Sequence, residues 1–290
     1  MADEPDDGEE TSAIAALDEY LTSVGALEDE DIDLAETALI LAALDKPEVD
    51  LATYRSHLAV LVDDVKGGLP DSGVGVTSAA DQVAAISGVL FDKHGYSGDS
   101  ENYDDLANAN LMDVIDRKRG LPVALAILFI HVGRAVGWDV AGLNFPGHFL
   151  LRLQVGGDRV VVDPFSQGQA LGPAELRALA KKMGGDDAEV QPEHYRELTN
   201  REILIRLQNN IKVRAVQAED LDHAVMIMNH MVSFAPEYPA LWFETGMLNA
   251  QFGQFQVAKI ALENCLQRTD DSSTRAQVQG LLDRVEMQIN

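Results

Sequence analysis

Apolar side chains recur along most of this chain every three or four residues, the spacing that lines one face of a helix. Ile14, Leu17 and Leu21 mark a first helix beginning near Thr11. Leu34, Ala38, Leu41 and Leu44 mark a second that ends at Lys46-Pro47, because proline cannot continue it. LATYRSHLAVLVDDV predicts a third helix closing at Gly67-Gly68, and a fourth covers about 78 to 93 before the turn-rich GYSGDSEN. Asp105 to Arg117 and Pro122 to Gly137 read as two more, separated by the basic turn RKRGL. Pro122 sits near a helix start, where its missing N–H costs least.

After Gly137 the texture changes. WDVAGLNF, HFLLRLQV and DRVVVDPF are short segments with β-branched or aromatic residues, and the last two flank Gly156-Gly157, a hairpin signal. They predict a small antiparallel sheet. From about 173 the pattern is helical again to the C-terminus, with the Gly-rich, acidic MGGDDAEVQP at 183–192 as the expected linker. The fold class is α+β. Residues 1–10 are expected as an acidic, disordered tail, 11–182 as N-terminal helices plus a mixed domain, and 193–290 as a helical repeat region.

The repeat has a period of 34 residues, visible when 205–238 is laid on 239–272. Ala224 then falls on Ala258, Met228 on Leu262 and Met231 on Cys265. Trp242, Gly246, Ala258, Leu262 and Cys265 follow the large and small spacing of a tetratricopeptide repeat, in which small residues let two helices approach and large ones fill the space between units. Gln208 and Lys212 depart from it in the first unit, and Asp270 replaces the closing proline that Pro236 supplies, so an ordinary helical bundle stays open as the alternative.

Composition narrows the function classes. With 22 Lys plus Arg against 48 Asp plus Glu, the net charge of −26 repels phosphate backbones and anionic lipids, so neither nucleic acid nor membrane is an expected partner. The acidic MADEPDDGEE does not resemble a secretory signal, and no apolar run approaches the roughly 20 residues of a bilayer span, so a cytoplasmic protein is expected. The single cysteine, Cys265, excludes an internal disulfide and a thiolate-rich metal site; it lies where a small apolar residue is wanted and reads as a packing group. His223 and His230, seven apart on one helix face, lack a third ligand and read as repeat histidines. No cofactor and no metal is expected.

The candidate chemistry lies between Arg117 and Phe165. A helix of small and apolar residues is followed by a strand, then a second strand opened by His148 and a third closed by Asp163, the order used by thiol hydrolases and transglutaminases. With a hairpin centred on Gly156-Gly157, His148 opposes Phe165 and Leu150 opposes Asp163, which makes His148 and Asp163 diagonal neighbours within about 7 to 8 Å by backbone. A slip of one residue would put them on opposite faces.

Four stretches, ALILAALDKPEVDLATYRSHL, GYSGDSENYDDLANANLMDVIDRKRGLPVALA, FPGHFLLR and VVDPFSQGQAL, together resemble the SirB-type family of transglutaminase-like proteins with C-terminal tetratricopeptide repeats, over about Ala35 to Val285. The resemblance implies a papain-like or transglutaminase-like core. Carried across on Gly120, Ala126, Arg134 and Gly137, it puts Pro122 where a catalytic cysteine would stand, at the dipole-bearing helix start that favours a thiolate, and His148 and Asp163 at the other triad positions. Proline has no nucleophile, and no serine lies between Ser100 and Ser166 to replace it.

What the pattern leaves is a remnant dyad, His148 and Asp163, held for structure or serving as a ligand-binding or acid/base pair. Arg117, Arg119, Gly120, Pro146, Gly147 and Phe165 are candidate ligand-binding neighbours, with the two arginines open to packing against carboxylates instead. The expected function is a non-catalytic binding or regulatory module that engages a protein or peptide through its repeats. Two alternatives remain: a hydrolase or transferase using the dyad without a covalent thiol intermediate, and a purely structural subunit.

Overall fold

The computed structural model describes residues 7–69 and 76–289. Two compact units are formed, one from residues 29–207 and one from residues 1–28 with 208–290. The tail expected at 1–10 lies partly outside the described residues; from Asp7 the chain is helical in α1 (Asp7–Gly25), which belongs to the second unit.

The 29–207 unit opens with α2 (Leu34–Leu44), buried at all but one position, as its nearly continuous apolar sequence requires. Asp33 caps it by accepting from Glu36 N at 3.0 Å. In α3 (Leu51–Gly68) only Tyr54, Leu58, Leu61, Val62 and Val65 are buried, one stripe of an amphipathic helix. α4 (Ala79–Ser87) starts in a Ser78–Asp81 capping box and continues as a wider π-helical turn, Gly88–Lys93. The helix expected over 105–117 is broken. A short 3₁₀ turn, Leu106–Asn108, precedes α5 (Leu111–Arg117), because Asn110 caps the latter by accepting from Met112 N and Asp113 N.

The two-residue strands β1 (Ser97–Gly98) and β2 (Arg119–Gly120) run parallel, a pairing too short to leave a periodic signal. Between them and the main sheet lies α6 (Pro122–Ala135), buried from Pro122 through Ile130 and packed by α2, α3, α4 and α5. Gly133 lets β3 (Asp139–Leu143) come close, since a Cβ there would lie 2.5 Å from Val140 Cγ2. The antiparallel sheet runs β3, β4 (Leu150–Val155), β5 (Asp158–Asp163) and β6 (Gln169–Leu171), the last strand being additional to the three expected. α7 (Pro173–Gly184) packs on β6.

The stretch 183–192, expected as the linker, lies inside this unit, and the division between units falls at 207/208, within the uninterrupted helix α8 (Asn200–Gln217). Pairing explains the placement: Asn144 N donates to Arg196 O and Leu198 N to Gly142 O, so the chain after 192 stays joined to β3.

In the second unit α10 (Pro239–Gln251) and α11 (Phe255–Arg268) form a tight antiparallel pair preceded by α9 (Leu221–Phe234) and followed by α12 (Ser272–Ile289). The equivalences at 34 residues hold in three dimensions, with Ala224, Met228, Met231, Ala258, Leu262 and Cys265 all fully buried. α1 packs against α9. Lys212, the departure from glycine in the first repeat, is itself buried and pairs with Glu244 of α10.

Candidate functional site

The β4–β5 hairpin has the register its Gly-Gly turn predicts: Val155 pairs with Asp158 and Leu151 with Val162, which sets Leu150 opposite Asp163. His148 stands just before β4, and its Nε2 lies 3.0 Å from Asp163 Oδ1. The carboxylate also accepts from Phe165 N and from Ser166 Oγ, each at 2.9 Å. Burial pushes the Asp163 pKa up, but the bonds from His148, Ser166 and Phe165 outweigh it and hold the carboxyl below its usual range. With Nε2 committed to the carboxylate, Nδ1 is the nitrogen that faces away from it. Only 10% of the His148 side chain and 9% of Asp163 are exposed, so the pair is nearly closed to solvent.

Two neighbours absent from the sequence reading hold this geometry. Arg206 of α8 donates to the carbonyls of Phe145 and His148, and its guanidinium lies 5.3 Å from the centre of the Phe149 ring. It thereby grips both ends of the FPGH turn, in which Gly147 adopts φ 68° against Met183. Tyr103 packs edge-on against Phe165 at 5.8 Å, and Phe165 packs edge-on against His148 at 6.2 Å. Pro146 and Gly147 are exposed beside the histidine.

At the start of α6 the structure offers no nucleophile. Leu121 is the N-cap, without a side-chain bond, and its N–H donates to Asn108 O at 2.8 Å. Pro122, the position to which the resemblance assigns the cysteine, is the first helical residue and is buried with Val123 and Ala124 behind it. Cys265 is buried in the repeat unit, where desolvation raises its thiol pKa.

The basic turn is taken up by the protein's own acids. Arg117 lies 3.2 Å from both Asp99 and Asp105, and Arg119 lies 3.0 Å from Glu101. Gly120 is a packing glycine, since a Cβ would fall 2.9 Å from both Val114 methyl groups. Lys118 between them adopts φ 56° and donates to Tyr96 Oη at 3.2 Å and His57 Nε2 at 3.1 Å. Burial, then the charges of Lys118 and His94, push the His57 pKa down to about 4. His94 itself is held by Asp64 at 2.6 Å.

In the repeat unit an open groove of about 660 Å³ runs between α10 and α12, lined by Phe243, Met247, Ala250, Leu281 and Arg284 among others. Val213, Met247 and Leu281 recur at the 34-residue period, and the first two are 47% and 42% exposed, so the groove continues an apolar ladder along successive first helices. His223 and His230 face different acids, Asp220 and Asp18, at 3.9 and 3.7 Å. No helix among the described residues is long and apolar enough to cross a membrane.

A mixed fold of buried helix, antiparallel hairpin and His–Asp pair, joined to paired repeat helices, defines a transglutaminase-like protein with a helical-repeat extension. The chain belongs to the transglutaminase-like superfamily: that family's model matches residues 52–209, more than half of the chain, and a tetratricopeptide-repeat model matches 211–283. It is similar to a UPF0162 protein of Xylella fastidiosa, 29% identical over 248 residues that cover 84% of this chain and 87% of the relative. A UPF0162 protein of Vibrio cholerae is 29% identical over 237 residues, 79% of this chain and 85% of the relative. A shorter likeness, 31% over 103 residues, links 33% of this chain to 16% of the F-box only protein 21 of Mus musculus. No solved structure gives a significant match.

Proposed function

We propose that this protein is a transglutaminase-like module without thiol chemistry that acts in the cytoplasm by binding a protein or peptide through its repeats. The observation that carries the reading is Pro122 at the first position of α6: the place that needs a thiolate holds a residue with neither a nucleophilic atom nor an N–H. The apolar groove between α10 and α12 supports a peptide or protein ligand. The intact 3.0 Å dyad favours a second reading, in which His148 acts as acid or base on a bound group or water without a covalent step.

Partner capture with mass-spectrometric identification separates these readings when wild type is run beside Met247→Glu and His148→Ala. A partner lost with Met247→Glu and kept with His148→Ala supports the binding module. Loss with His148→Ala alone, in a folded protein, moves the working site to the dyad. Incorporation of an amine into glutamine peptides, or peptidase turnover, abolished by His148→Ala would overturn the non-catalytic reading.

A further inference from the structure

A cleft of about 330 Å³ lies between α2, α3 and α6, away from the His148 pair, and is lined by Asp33, Leu58, Ala59, Val62, Asp63 and His131 among others. His131 and Asp33 also line a second cleft of about 360 Å³ on the other side of the α2 start. Volumes of this order exceed the share of a few waters and reach the lower end of small-ligand sites.

One ring nitrogen of His131 is hydrogen-bonded to the backbone of Leu58, a contact that raises the ring's pKa and therefore has the carbonyl as acceptor. Its Nε2 is buried and has no hydrogen-bond partner among the described residues. Burial lowers the ring's pKa despite the charge of Asp33, so near neutral pH the ring carries its one proton toward Leu58 and Nε2 presents a bare lone pair. A buried acceptor left unbonded is unfavourable, and a bound donor relieves that cost. Asp33 spends Oδ1 on Glu36 N at 3.0 Å, leaving its second oxygen. Two cations line the cleft wall: Arg55, held by both carboxylate oxygens of Glu36 at 3.0 Å, and Lys66, on the same helix as Asp63.

We propose that this cleft binds small primary amines as alkylammonium ions, with N–H groups donated to His131 Nε2 and the Asp33 carboxylate and the alkyl chain against Leu58, Ala59 and Val62. His131 Nε2 and the second Asp33 oxygen, taken together, need a ligand with at least two donors. A monohydric alcohol has one, and a fully deprotonated anion has none. The apolar wall gives an alkyl chain its place, because Leu58 and Val62 are one helical turn apart on the buried face of α3.

The test is an amide-resonance NMR titration of the whole protein at pH 7 and fixed ionic strength, with n-butylammonium chloride as probe and tetramethylammonium chloride, which carries the charge without an N–H, as control. Butylammonium should give saturable shifts confined to the residues around the cleft, and tetramethylammonium should not. His131→Phe should weaken the response at least tenfold. Because His131 is half-buried within α6, Ala59→Leu provides a second variant: Ala59 is exposed at the cleft wall, so its enlargement should block the ligand while the melting temperature holds. An equal response to tetramethylammonium, persistence of binding in both variants, or no saturable shift with butylammonium would each overturn the site.

Discussion

Phe165 occupies the space a side chain at Gly98 would need: a Cβ on Gly98 would lie 2.5 Å from Phe165 Cδ2 and 2.7 Å from Cγ. The ring cannot yield without leaving His148, whose edge it meets at 6.2 Å. Gly98→Ala is therefore expected to cost about 1 to 3 kcal/mol through overpacking. It should also move the His148 ring resonances, whereas Gly157→Ala, with nothing within 4 Å, leaves them in place. Urea midpoints and imidazole chemical shifts of the two variants check this.

Asp163 makes a second prediction through pH. Burial raises its pKa and the bonds from His148, Ser166 and Phe165 lower it further than burial raises it, so the folded carboxyl gives up its proton more readily than the unfolded one. Its contribution is present above the unfolded value of about 3.9 and is lost as pH falls through the lower folded value. Wild type should thus exceed Asp163→Asn in stability at pH 6, with the gap narrowing as pH drops below 4. A gap that stays constant across denaturation curves from pH 6 to 3 would remove the carboxylate from the account.

These two relationships differ in how far the sequence discloses them. Gly156-Gly157 between alternating apolar segments sets the hairpin register, and once Leu151 faces Val162 the meeting of His148 with Asp163 follows from the pleat. Gly246 and Leu262 were legible because they repeat a known spacing. Arg206 was not, since it reaches the His148 carbonyl from α8, 58 residues away, and no local pattern marks an arginine that bonds backbone. Nor was Asn110, whose side chain caps the start of α5, or the Ser97–Gly98 pairing with Arg119–Gly120, which is only two residues long. The N-terminal helix was expected with the first domain, because periodicity shows that α1 has an apolar face and not that α9 covers it.

Leu262 and Cys265 supply a prediction for the repeat unit. Leu262 is fully buried against Gly246, where a Cβ would come within 2.6 Å of it, so Leu262→Ala should open a cavity and cost about 2 to 5 kcal/mol. The chain's single thiol lies on the same helix face, fully buried, with its pKa raised by desolvation. Iodoacetamide labelling of Cys265 should accordingly be slow in wild type and faster in Leu262→Ala, tracking opening of this unit. Equal labelling rates would show that the thiol is reached without loosening the α10–α11 pair.

His57 carries the last prediction, because its surroundings take its folded pKa far below the ordinary value. Its Nε2 meets Tyr96 Oη at 2.8 Å and Lys118 Nζ at 3.1 Å, and the rings of His94 and Tyr96 stand at 5.6 and 6.3 Å. Asp116 is the acid that draws the pKa up, Asp64 being engaged with His94 and Lys93. Burial, Lys118 and His94 together win, and the pKa falls from 6.5 to about 4. The unfolded chain therefore takes up a proton between those values that the folded ring refuses. Stability from this group is full above pH 6.5 and declines as pH falls towards about 4, where the folded ring also titrates and the loss levels off. His57→Gln keeps an acceptor for Lys118 but does not titrate, so its denaturation midpoint should fall less than wild type's between pH 7 and 4. Parallel pH profiles for the two proteins would mean that His57 is not held neutral, and would withdraw its lone pair from Lys118 and the turn that Lys118 anchors.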